Sequence, residues 1–298
     1  MSALAKGTLF PSTLESEIFS KVKGHSTLAK LSAQEALPFV GKDVFTFNFD
    51  SDLAIVGENA EKPAGDATVS AVKMQPIKVV YQMRTSDEFL YASEEYKINI
   101  LSAFADGFAK KLGAGLDKMA MHGINPASTS ARSTVIGTNN FDDKVTTNVV
   151  TYTTADTDID AAVAQVEASE YAVNGIAISP TMRGAIAALT ANDQRKYPEF
   201  AFGMIPANLG SMALDSNATV SAQYTGATYT DYAIVGDFQN AFRWGIAKEL
   251  PLETIQYGDP DNTGVDLKGS NQICLRSEAY IGWAIMDADA FSIIHKAN

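Results

Sequence analysis

The sequence predicts a mixed α+β fold, and three observations carry that prediction. Residues 44–50 alternate strictly, with Phe45, Phe47 and Phe49 on one face and Thr46, Asn48 and Asp50 on the other. A segment opening at Ser93-Glu94-Glu95 and closing at Gly123 repeats apolar residues at three- and four-residue steps. From Asp158 onward, short helical and strand patterns alternate.

Taken in order, residues 1–42 read as an arm with little core of its own, in which Glu15 to Val22 fits one short helix. The aromatic run follows. A polar stretch with Glu61, Lys62 and Pro63 then leads to a second alternation, with Ile77, Val79, Tyr81 and Met83 on one face. These runs predict a long hairpin over residues 43–83, with arms of about 13 residues reaching roughly 40 Å. Two strands alone are marginal in water, so the hairpin needs its own domain or a neighbouring subunit.

The long helix carries Leu101, Phe104, Ala105, Phe108, Leu112, Leu116 and Met119 on its apolar positions. Gly123 and Pro126 end it. Residues 125–157 are polar, with short strands at best. Ile159, Ala162, Val163 and Val166 then mark a helix, Ile176-Ala177-Ile178 a buried strand, and Pro180 to Leu189 a second helix. Strands are predicted at Tyr232 to Val235, Phe242 to Ile246, Glu253 to Tyr257, Asn271 to Arg276, Tyr280 to Met286 and Phe291 to Ile294. The N-terminal hairpin and helix have no partner sheet nearby in sequence. The C-terminal strands are the expected partners, which interleaves the domains.

Composition narrows the function. The 298 residues are 46% hydrophobic and 19% charged, enough apolar mass for a real core. The net charge of −12 repels a phosphate backbone and argues against a dedicated nucleic-acid reader. Cys274 is the only cysteine, which leaves no intramolecular disulfide and no cysteine-based zinc cluster. It sits in an alternating run and reads as a small core residue. His25, His122 and His295 are scattered. The first ten residues lack a signal-peptide pattern, and no apolar run reaches membrane-spanning length.

Candidate chemistry is thin. Gly113-Ala114-Gly115 lacks a third glycine and sits within the helix, so no dinucleotide site is expected. Asp259-Pro260-Asp261-Asn262-Thr263-Gly264 begins like a calcium loop, but its twelfth position is Ser270, and it reads as an acidic turn. No nucleophile–base pair stands out. No cofactor and no metal site is expected, and the chain is not expected to be an enzyme.

The order of the parts carries a resemblance. An arm leads to a hairpin with Glu61-Lys62-Pro63 near its tip. A strand runs into Ser86-Asp87-Glu88-Phe89-Leu90 and a long helix ending in Met121-His122-Gly123. An α/β insert ends in Val235-Gly236-Asp237-Phe238, and Arg276-Ser277-Glu278-Ala279-Tyr280 precedes the last strands. This order resembles the tailed-bacteriophage major capsid proteins of the Hong Kong ninety-seven fold, over nearly the whole chain from about residue 10.

The resemblance implies an N-terminal arm (1–42), an extended loop (43–83), a peripheral domain with a spine helix (84–157), an axial domain (158–245) and peripheral C-terminal strands (246–298). It implies a self-assembling subunit of pentamers and hexamers in an icosahedral shell around double-stranded DNA, bound without sequence specificity. Separate scaffolding and portal proteins, no membrane, and assembly in the host bacterial cytoplasm are expected with it. Phe45, Phe47, Phe49, Glu61, Lys62, Ile77, Val79 and Tyr81 become inter-subunit contact candidates. Some members of the family weld neighbours by an isopeptide bond, and Lys62, Asn271 and Glu278 match those positions as lysine, asparagine and proton acceptor. An encapsulin-like compartment shell keeps the same fold with another task. A soluble α/β hydrolase or ligand-binding protein is the reading from a different class.

Overall fold

The computed structural model describes residues 25–49, 51–91 and 93–298. The short helix expected over Glu15 to Val22 lies outside them. The first described element, α1 (Thr27–Leu31), is a single turn whose N-cap, Ser26, accepts a hydrogen bond from the Ala29 N–H. Strands β1 (Lys42–Phe49), β2 (Ala67–Met74) and β3 (Ile77–Ser86) follow, then a 3-10 turn and the long helix α2 (Glu94–His122). Its 29 residues span about 43 Å. It stops at Gly123, whose φ of +64° suits a residue without a Cβ. The polar stretch holds β4 (Ile124–Asn125), β5 (Ser128–Arg132), α3 (Phe141–Lys144) and β6 (Val149–Thr151). Next come α4 (Ala155–Ala168), β7 (Gly175–Ile178) and α5 (Pro180–Ala188). The small strands β8 (Thr190–Ala191), β9 (Gln194–Arg195), β10 (Asn208–Leu209) and β11 (Met212–Ser216) lead to β12 (Tyr229–Gly236). Two long strands, β13 (Phe242–Ile255) and β14 (Gln272–Ile285), precede the last, β15 (Phe291–Ala297).

The hairpin differs from its sequence reading. The partner of β1 is β2, in a ladder from Lys42↔Met74 to Phe49↔Ala67, and not the run from Ile77 to Met83. Pro76 stands between the two runs and has no N–H for a ladder. Beyond it, β3 changes sheet and pairs with β14 from Ile77↔Ile281 to Ser86↔Gln272. Burial decides the exchange, because Ile77 and Val79 pack on the main core and Tyr81 lies 5.8 Å from the Phe104 ring.

Two sheets organise the rest. The three-stranded sheet has the order β13-β14-β3, and the six-stranded sheet has the order β10-β11-β7-β12-β15-β6. The expected separate strands at 242–246 and 253–257 are one continuous β13, carried across register shifts opposite β14. Residues 271–276 and 280–286 likewise merge into β14. The last strand also departs from its expected grouping. It enters the six-stranded sheet between β12 and β6 and does not join β13 and β14.

Strand alternation divides the six-stranded sheet between two cores. Ile176, Ile178, Ala233, Val235 and Ile294 meet Ile159, Ala162 and Val166 of α4 and Met182 and Ile186 of α5. Ala177, Ile234 and Ile293 face the other way. There they join Phe108, Leu112, Leu116 and Met119 of α2, with Phe141, Phe238, Phe242, Phe291, Trp244 and Trp283. The first half of α2 rests on the three-stranded sheet, where Leu101 and Phe104 pack on Ile273 and Leu275.

The chain before the hairpin is strapped across β13 and β14. The Glu35 N–H donates to the Trp244 carbonyl at 2.8 Å, and Leu37 is buried with Met74 and Ala284. Two glycines paired in register, Gly245 and Gly282, make the room. A Cβ at Gly282 would stand 2.7 Å from Leu37 Cδ2 and 2.9 Å from the Gln75 carbonyl, and one at Gly245 would strike the Glu35 carbonyl. Gly245→Ala is therefore expected to destabilise the subunit by about 1–3 kcal/mol. Gly184→Ala, in an open position of α5, is expected to stabilise it by up to about 1 kcal/mol. Urea unfolding of both variants checks the contrast, and equal effects would refute the strap.

Candidate assembly interface

The β1–β2 hairpin carries apolar side chains that its own chain does not cover. Its register sets Phe45, Phe47 and Phe49 opposite Ala71, Val69 and Ala67. Phe45 and Val69 are exposed. Beyond the ladder, Leu53 and Ile55 are 102% and 103% exposed, so no described residue shields either one. The base is anchored through buried Met74. Eight paired residues reach about 26 Å before the tip. Glu61 and Lys62 are exposed in that tip.

The structure places the remaining sequence candidates apart from the tip. Asn271 adopts a left-handed φ of 53° after a 3-10 turn, and its carbonyl accepts the Asp87 N–H at 3.0 Å. Glu278, on β14, pairs with Lys78 of β3 at 2.9 Å. The Glu278 contact raises the Lys78 ammonium above its ordinary pKa. Ile77, Val79 and Tyr81 line an apolar groove of 570 Å³ with Phe108, Leu112 and Met119. The hairpin and this groove are two of the apolar surfaces among the described residues. The acidic turn carries its own cation: Arg84 pairs with Asp259 at 2.7 Å and with Asp261, and donates to the Val265 carbonyl at 3.0 Å. Arg84 holds the Asp261 carboxyl well below its usual range. A guanidinium thus sits where a calcium loop would place its ion.

The arm is held by one buried carboxylate that sequence reasoning did not single out. Asp117, on the last turns of α2, accepts from Ser26 Oγ at 2.6 Å, the Thr27 N–H at 2.9 Å, the Leu28 N–H at 3.2 Å and Thr219 Oγ1 at 2.8 Å. It satisfies the free N–H groups at the start of α1 and ties them to the segment before β12. Burial pushes its pKa up to about 6, against the pull of those four donors.

A second polar cluster lies at the end of α2. His122 Nδ1 stands 3.2 Å from Asp142 Oδ2 and 3.5 Å from Asp231 Oδ2, and His122 Nε2 is 3.0 Å from the Thr219 carbonyl. All three side chains are buried. Burial, then the Asp142 charge, pushes the Asp231 carboxyl well above its usual range. For Asp142 burial is outweighed by His122 and Arg132, which hold it below. Among the described residues this is the group whose spacing could hold a metal ion. Its members come from α2, α3 and β12 with no spacing motif to reveal them. Among the described residues, no helix is long and apolar enough to cross a membrane.

A model of the phage capsid family matches residues 6–295. No curated protein matches the chain. Among solved structures, a chain from Mycobacterium phage Ogopogo is 33% identical, with 92% of each chain covered and a TM-score of 0.79. A chain from Gordonia phage Cozz is 23% identical over 92% of this chain and 87% of that one, with a TM-score of 0.73. A chain described as "Capsid of native GTA particle computed with C5 symmetry" is 15% identical, covers 100% and 94%, and has a TM-score of 0.64. At these lower identities the likeness concerns the fold alone.

Two predictions follow from the geometry. Leu53→Asp combined with Ile55→Asp is expected to abolish association while moving subunit stability by less than about 0.5 kcal/mol. Light scattering and urea unfolding read the two effects, and unchanged association would sink the role of the tip. For Asp117, the folded pKa of about 6 exceeds its ordinary value of 3.8. Between those values the unfolded chain releases its proton while the folded one keeps it. The Asp117 contribution to stability thus falls as pH rises from about 4 to about 6, by about 3 kcal/mol, and is level above. The stability of the wild type minus that of Asp117→Asn is expected to shrink by that amount across the window, and a flat difference would contradict it.

Proposed function

Because the chain belongs to the phage capsid family, and is thereby a structural protein of the bacteriophage virion, we propose that its copies assemble as pentamers and hexamers into an icosahedral shell around double-stranded DNA. The observation that carries this reading is the hairpin, an apolar extension with no cover from its own chain. Exposed apolar surface of this kind marks a protein–protein contact. A two-stranded ribbon also needs support from outside itself. The proposed contacts set Phe45, Phe47, Phe49, Glu61 and Lys62 of one subunit against a neighbour, with Ile77, Val79 and Tyr81 lining a receiving groove.

In this reading residues 1–42 form the arm and the extended loop follows. The spine helix and three-stranded sheet form the peripheral part, and the six-stranded sheet with α4 and α5 forms the axial part. Contacts between unlike surfaces close into rings and then a shell, and weak contacts repeated over many copies give a strong particle. The acidic subunit holds the DNA by enclosure. Portal and scaffolding functions fall to separate proteins, and assembly takes place in the host bacterial cytoplasm.

A weld between Lys62 and Asn271 belongs to the same proposal. The Lys62 amine would attack the Asn271 side-chain amide of a neighbour, expel ammonia and pass a proton to Glu278. That step requires Glu278 to release Lys78, its partner within the subunit.

Negative-stain microscopy with light scattering, on protein co-expressed with its genomic neighbours, tests the shell. Closed particles or rings of five and six are expected. A species that stays at the 31.8 kDa monomer mass with those neighbours present would overturn it. A denaturing gel of the particles reads the weld: ladders that vanish in Lys62→Arg support it, and monomers alone refute it.

A further inference from the structure

We propose that His122, Asp142 and Asp231 bind one divalent transition-metal ion of the zinc class, which fastens the end of the spine helix to α3 and β12. The inference does not depend on the shell reading.

His122 Nδ1 lies 3.3 and 3.2 Å from the two oxygens of Asp142 and 3.5 Å from Asp231 Oδ2. A charge-assisted N–H···O bond is shorter, about 2.7–2.9 Å, and selects one acceptor. With one oxygen from each carboxylate, the 3.2 Å to Asp142 Oδ2 and the 3.5 Å to Asp231 Oδ2 lie near the edge of a tetrahedron with metal–ligand bonds of about 2.0–2.1 Å, which is about 3.3–3.4 Å long.

The histidine tautomer agrees. Its Nε2 faces the Thr219 carbonyl at 3.0 Å and must donate there. That bond leaves Nδ1 as the nitrogen that faces the carboxylates. Metal-bound histidines are held in this way, with the second ring nitrogen donating to a backbone carbonyl.

Asp231 is the independent sign. It is fully buried, and among the described residues neither of its oxygens receives a hydrogen bond. A buried carboxylate without a donor is costly, and needs a cation or a proton. Asp142, Asp143 and Asp231 gather around a single guanidinium, Arg132, which pairs with Asp143 and lies 3.6 Å from Asp142.

A fourth ligand is at hand. The Gln223 amide nitrogen is 3.1 Å from His122 Nδ1, and its buried amide oxygen has no donor among the described residues. A half-turn of the amide presents that oxygen to the ion. A pocket of 180 Å³ lined by Asp142, Tyr229 and His295 adjoins the cluster on the Asp142 side. One imidazole with two carboxylates suits zinc, cobalt or manganese, while calcium takes six to eight oxygens.

The test uses the full-length protein, equilibrated with Zn²⁺ and desalted. Elemental analysis is expected to find about one zinc per chain, a chelator to lower Tm by several degrees, and added Zn²⁺ to restore it. Co²⁺ in place of zinc is expected to show the visible bands of four-coordinate cobalt. Asp231→Asn keeps the side-chain shape and is expected to lose the ion. Asp261→Asn, in the acidic turn, is expected to keep it. If Asp231→Asn does not fold, the cobalt spectrum and chelator shift of the wild type decide alone. Less than about a tenth of an ion per chain, with Tm indifferent to Zn²⁺ and chelator, would overturn the proposal and assign the site to a proton shared by Asp231 and Asp142. An ion retained in folded Asp231→Asn would overturn it equally.

Discussion

The second half of α2 is buried between the two sheets, and the remaining elements are placed by that burial. Phe108, Leu112, Leu116 and Met119 leave one apolar stripe of the helix to be covered. The three-stranded sheet covers it on one side, and one face of the six-stranded sheet covers it on the other. Aromatic rings fill the wedge between them, with Phe141 and Phe291 edge to face at 4.8 Å. Leu28 and Leu31 of α1 belong to the same core. The arm, the helix and both sheets therefore share one packed interior, and a shift in one is felt by the others.

The same end of the helix also carries the buried polar groups. Asp117 and His122 lie five residues apart and face different neighbours. Asp117 gathers the first turn of the arm, and His122 turns to α3 and β12. Apolar packing sets how closely these elements approach, because it has little direction of its own. Hydrogen bonds set their angles. The junction thus couples α1 to the sheet that forms the other half of the subunit.

The hairpin follows the opposite logic. The interior is closed around α2, yet Leu53 and Ile55 are left in solvent and Phe45 is largely so. A subunit with that surface is unfinished as a monomer. Glycines at 245 and 282 let the strap before the hairpin lie flat on β13 and β14, which fixes where the extension leaves the body. A rigid body with a projecting apolar ribbon is a part suited to a lattice.

Much of this was legible from local pattern. The alternation at 44–50 and the apolar spacing of α2 report on side chains a few residues apart, so the sequence alone determined the hairpin's first strand, the spine helix, the α/β segment and the family resemblance. Pairing was another matter. Both 67–74 and 77–83 can form strands. Pro76 and the distant strand β14 decided that the first closes the hairpin and the second enters a sheet. The division of β7, β12 and β15 between two cores, and the placement of β15 beside β12, likewise depend on what lies on each face. Asp117 with Ser26 and Thr219, and His122 with Asp142 and Asp231, had no spacing signal at all. Their members lie on segments far apart in the chain, and only burial of α2 brings them within bonding distance, where the low-dielectric interior gives each unpaired charge its weight.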